Sequence, residues 1–142
     1  MPLSTRMDNL VLDLLTGRSA SLAAPNDAGL YWGLSSTTPT KAGANITEPS
    51  GGAYARVLVD DTNMSAASGS STALTAEEAF AQASADWLSG ADLTYAVAYD
   101  DLTSVLEANF VGFTVLTVAK PVLTGDTAKF LVGDLTLTLG GS

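Results

Sequence analysis

Asp92-Leu-Thr-Tyr-Ala-Val-Ala-Tyr-Asp100 alternates without interruption: Leu93, Tyr95, Val97 and Tyr99 fall on one side of an extended chain, and Thr94, Ala96 and Ala98 on the other. A period of two is the mark of a strand that turns one face to a core. The same period recurs on either side. Upstream, Leu30, Trp32 and Leu34 alternate with Tyr31, Gly33 and Ser35, and Ala55, Val57 and Val59 with Tyr54, Arg56 and Leu58. Downstream, Leu106, Ala108 and Phe110 oppose Val105, Glu107 and Asn109, and Phe113 to Val118 is an apolar run rich in β-branched residues. Ala128–Val132 follows, and Leu135, Leu137 and Leu139 then alternate with Asp134, Thr136 and Thr138. Thr124-Gly125-Asp126 and Val132-Gly133-Asp134 are turn signals, Asp100-Asp101 fits a turn, and Pro121 marks an edge or a strand start. Short alternating strands with this punctuation predict a mainly β fold, an antiparallel β-sandwich or jelly-roll-like barrel.

One segment breaks the pattern. Across residues 8–17, Leu10 with Leu14 and Val11 with Leu15 recur at helical spacing, Asp8 suits the N-terminus, and Gly17 with Arg18 suits the C-terminus. A helix this short must dock its leucines, on its own sheet or on a neighbouring subunit. A small-residue linker, Ser19 to Asn26, joins it to the β body. The chain therefore reads as a single β domain over 1–142, with an N-terminal helix at 8–17, a β body at 28–139 and aperiodic loops at 37–52 and 62–78. Loops of that length in a compact fold are often functional.

Composition limits the function. Hydrophobic residues make up 46% of the 142-residue chain and charged residues 15%, as in ordered globular proteins. The net charge is −9, and the six Lys and Arg residues are scattered, so the basic footprint of a nucleic-acid binder is missing and an anionic membrane is a poor partner. No secretory signal and no apolar run of the ~20 residues a transmembrane helix needs is evident, which predicts a soluble protein.

The chemistry is equally sparse. The chain holds neither His nor Cys, which removes the commonest general base, the strongest nucleophile and every thiolate metal site. Asp60-Asp61 and Asp100-Asp101 are the acid pairs that glycoside hydrolysis would need, yet each sits at a predicted strand end where solvated acids are expected. No phosphate-binding glycine motif and no EF-hand spacing is present; Ser50-Gly51-Gly52 and Gly140-Gly141 read as turn and tail. The expectation is a protein without catalytic residues, cofactor or metal. Trp32 is in phase with core leucines, whereas Trp87 is freer and suits an interface anchor. Arg56, a lone cation within a strand, either lies at the surface or pairs with Glu48 or a neighbouring acid to clamp the long loop to the sheet.

Leu30-Tyr-Trp-Gly-Leu-Ser-Ser-Thr-Thr-Pro-Thr40 and, after Gly43, Asn45-Ile-Thr-Glu-Pro-Ser-Gly-Gly-Ala-Tyr-Ala-Arg56 resemble the opening of a family of small tailed-bacteriophage virion proteins. Trp87 and the stretch from Gly125-Asp126 through Phe130 to Leu139 match the family's mid-chain Trp and closing strands. Residues 62–92 match least well. Members are described as tail fibre or head decoration proteins. The resemblance implies a capsid decoration (cement) protein on the outer head surface, a homotrimer that bridges capsomers and binds the major capsid protein. The alternative is a tail-fibre or tail-tip module binding a host surface glycan or protein. Leu10, Leu14, Glu48, Arg56 and Trp87 are the candidate interface residues.

Overall fold

In the computed structural model, which describes residues 3–18 and 29–138, small residues set against large ones fix the register of a central sheet. Strand β1 (Leu30–Ser35) runs antiparallel to β5 (Leu93–Tyr99), with Trp32 opposite Ala98 and Leu34 opposite Ala96. The alanines leave room for the indole and the leucine on one face. β2 (Val57–Val59) flanks β1, and β6 (Phe110–Lys120) flanks β5, giving the order β2-β1-β5-β6. Two further antiparallel pairs complete the fold: β3 (Ser71–Ala73) with β8 (Thr136–Thr138), and β4 (Glu78–Ala79) with β7 (Lys129–Phe130). These pairs place Leu74, Phe80, Phe130 and Leu135 against Trp32, Leu34, Ala96 and Ala98 in the main core. The result is the sandwich-like arrangement expected, with no closed barrel among the described residues.

The central strand buries both faces. Val97, Tyr99 and Phe110 form a second cluster on the opposite side, joined by Ile46 and Phe113. Leu93 does not share the side of Tyr95, Val97 and Tyr99 as strict alternation predicts: an irregularity between Leu93 and Tyr95 turns it into the main core. The loop at 37–52 is the cover of this second cluster. Ser36 N–H donates to Thr47 O (3.1 Å), Thr37 Oγ1 to Asn45 O (2.7 Å) and Asn45 Nδ2 to Thr38 O (2.8 Å), which lays Ile46 on the sheet.

Several boundaries differ from expectation. The helix α1 spans Thr5–Leu15. Ser4 caps it, with its Oγ accepting from Met7 N–H (3.3 Å), and Asp8 lies in the first turn, where its charge suits the helix N-terminus as expected, and pairs with Lys41 (2.9 Å). At the other end Gly17, at φ +74°, donates to Leu14 O and Arg18 N–H donates to Asp13 O (2.8 Å), the paired bonds of a Schellman ending. Residues 62–78 are not structureless, since they contain β3 and the start of β4. The strand expected near 105–110 is instead a turn, with a 3₁₀ segment at Glu107–Asn109. There the Ser104 Oγ donates to Asn109 Oδ1 (2.7 Å) and accepts from Leu106 N–H, side-chain bonds that replace a ladder. The linker Ser19–Asn26, Leu139 and Gly140-Gly141 lie outside the described residues.

Aspartates close the turns. Leu123-Thr-Gly125-Asp126 and Leu131-Val-Gly133-Asp134 share one geometry: the glycine takes φ near +90°, and the Asp carboxylate accepts the Leu N–H, at 3.0 and 2.7 Å.

Candidate functional site

Glu48 and Arg56 come together as a buried clamp beneath the loop. β2 pairs only with Leu30–Trp32 of β1, so the Leu34 N–H has no strand partner on that side. The Tyr54 hydroxyl accepts it (3.0 Å) and donates to Glu48 Oε1 (2.6 Å). Arg56 Nη2 meets Glu48 Oε2 at 2.5 Å, and its Nε donates to both carboxylate oxygens. Arg56 Nη1 then donates to the Asp101 and Ser104 carbonyls at 3.0 and 2.8 Å, and the guanidinium sits 3.6 Å from the Tyr99 ring centroid. The Arg56 side chain is only 4% exposed. Gly33 makes the close approach possible, because a Cβ there would stand 2.2 Å from Glu48 Oε1. Burial, reinforced by the Glu48 charge, raises both phenols: Tyr54 far above its ordinary value, and Tyr99 to about 12. An open groove of about 750 Å³ passes over the clamp, but every clamp donor described is already bonded within the chain.

The other candidates fall elsewhere. Trp87 is not a free anchor: it is 2% exposed, stacked edge-on against Tyr54 and Phe80, with its indole N–H bonded to Gly52 O (2.9 Å). Apolar burial overrides its position beside a turn. The start of α1 docks on its own sheet: Ser4 N–H donates to Val111 O, Ser4 Oγ to Phe110 O (2.8 Å), and Arg6 pairs with Asp100 (2.8 Å). The leucine stripe does not follow. Leu10 is half-buried, Leu14 is exposed, and Leu12 and Leu15 are more so, Leu15 reaching 75%.

The acid pairs are spent on structure. Asp60 accepts from the Thr62 hydroxyl and from Thr62 and Asn63 N–H, and Asp101 from Ser104 and Thr103 N–H; these bonds hold both carboxyls below the usual aspartate range. Asp100 is not a solvated turn acid, since Arg6 and Asn109 bind it in a buried position. Among the described residues no group of three or more acidic side chains is placed to hold a metal ion, and no helix is long and apolar enough to cross a membrane.

Sequence reasoning missed a second feature, an open groove of about 680 Å³ beside β6. Its floor is core (Phe80, Leu93, Phe130) and its lip is exposed aliphatic surface (Val115, Val118, Leu131). The nearly unbroken apolar run at 113–118 was its trace in the sequence.

The fold is that of a sandwich-like β protein with exposed aliphatic surface, and the family match makes it a virion structural protein. The chain belongs to the Gp80 family, described as podophage GP4 fiber I protein gp80, whose model matches residues 2–138. No curated protein matches the chain. The fibre description overturns the expectation of a capsid decoration (cement) protein. The motifs carrying the resemblance identify strand and loop positions, and those are the same whichever part of the particle the protein occupies.

Proposed function

We propose that this chain is a fibre module of a podophage particle, acting by binding other proteins and carrying no catalytic chemistry or cofactor of its own. The family match supports the fibre setting. One observation favours protein over glycan as the thing bound: none of the two Trp, four Tyr and four Phe residues is in an exposed position. Sugar recognition commonly uses open aromatic faces against which pyranose C–H groups stack, and the least covered aromatic residues here, Tyr31, Tyr54, Tyr95 and Phe113, are half-buried. Its exposed apolar groups are aliphatic, among them Leu12, Leu15, Val105, Val115 and Val118. Exposed aliphatic patches suit protein docking.

Cross-linking mass spectrometry of intact virions tests this reading. Cross-links from the exposed lysines of this chain should run mainly to fibre proteins. Cross-links running mainly to the shell protein would overturn it, as would saturable binding of the isolated chain to host polysaccharide.

A further inference from the structure

The order β2-β1-β5-β6 makes β6 an edge strand. Its outer side is occupied only at its start, where Leu3 bridges Gly112 and Ser4 N–H donates to Val111 O. Beyond that, from Phe113 to Lys120, the outer edge has no strand partner among the described residues. The inner side loosens as well. Tyr95 pairs with Val115 and Leu93 with Lys120, so Thr94 alone faces the whole of Leu116, Thr117, Val118 and Ala119. This bulge lifts apolar residues away from β5 and forms one lip of the 680 Å³ groove.

Such an edge invites another chain. The charges around it indicate which. No charged residue occurs from Phe110 to Ala119. The groove rim carries Lys120, Lys129, Asp126 and Asp134, with Lys129 already paired to Glu77 (3.0 Å), so the patch is close to neutral while the chain as a whole is −9. Identical acidic chains repel across most of their surface, and a neutral apolar patch is where that repulsion is smallest. Lys120, which has no ion-pair partner among the described residues, and the two aspartates around one patch are also self-complementary: in an isologous contact, Lys120 of one copy can meet an aspartate of the other, twice over. A basic partner would instead be drawn to the acidic surface outside the groove. We infer that the β6 edge and its groove are a self-association surface, occupied by a second copy of this chain. The inference builds on the fibre-module reading but concerns only how copies pair.

Sedimentation equilibrium of the full chain over a concentration series tests it. The wild-type chain should assemble with itself. Val118→Glu, at a position 60% exposed, should weaken assembly at least about tenfold by placing an unpaired charge in the contact. Its circular dichroism and melting temperature in the monomeric range should stay unchanged. Leu58→Glu, on the opposite edge strand, should assemble as wild type. A wild-type monomer at every concentration, or normal assembly of Val118→Glu, overturns the inference. So does a chain that is monomeric alone and cross-links through position 118 to a different virion protein, which would assign the groove to that partner. The sedimentation results do not bear on whether the particle carries the chain in its fibres, and cross-links to the shell from positions outside the groove would remove the fibre reading without touching self-association.

Discussion

The Arg56 guanidinium sits over the Tyr99 ring, 3.6 Å from its centroid, while gripping Glu48. This relationship ties three elements: the cover loop, the segment leading into β2, and the end of β5. Removing one partner of a buried ion pair leaves an uncompensated charge, which costs about 3–5 kcal/mol. Arg56→Met and Glu48→Gln should each destabilise the fold by roughly that amount in urea unfolding. The double variant should lose clearly less than the sum, since neither partner is then stranded. Additive losses would mean that the pair is not coupled.

Alkali should open the same region. Tyr99 and Tyr54 are raised above the ordinary phenol value of 10, so folding favours their neutral forms. Their contribution is complete below pH 10 and is lost as pH rises through the folded value, about 12 for Tyr99. The phenolate absorbance of Tyr54 and Tyr99 should therefore rise late, together with loss of ellipticity. Titration of Tyr54 and Tyr99 near pH 10 in a folded chain would contradict this.

Acid acts through the turns. Hydrogen bonds hold Asp60, Asp86 and Asp101 below 3.8 in the folded chain. Their stabilisation is complete above that value and fades as pH falls below it. Melting temperature should decline below about pH 4, and Asp101→Asn should flatten part of that decline.

Gly33→Ala tests the close approach beneath Glu48. The added Cβ would meet Glu48 Oε1 and Tyr54 Oη at 2.2 and 2.6 Å, so the clamp must shift. A loss of about 1–3 kcal/mol is expected, with the late phenol titration moving to lower pH. An unchanged titration would show that the clamp tolerates the methyl.

Trp87 separates core from interface. Trp87→Phe should lose about 1–3 kcal/mol through the stranded Gly52 carbonyl and the smaller ring, and leave assembly unchanged. Normal stability with altered assembly would restore Trp87 as an anchor.

The sequence made the strands at Leu30–Ser35 and Leu93–Tyr99 legible, because both alternate cleanly and carry large residues in phase. It also brought Glu48 and Arg56 into view as a pair, since a single cation in a strand needs a partner. Trp87 was misplaced because burial among Tyr54, Phe80 and Gly52 depends on residues distant in the chain. The helix start was shifted because Ser4 is fixed by Phe110 and Val111, a contact no local pattern encodes. The β6 groove was hidden for the same reason. Its bulge arises from the mismatch of two strands, which neither strand shows alone.

The fibre assignment is tested most directly by electron cryo-microscopy of virions labelled through this chain at an exposed position such as Leu15. Density of the label should lie on fibres projecting from the particle. Label distributed evenly over the icosahedral shell, with none on the fibres, would contradict it.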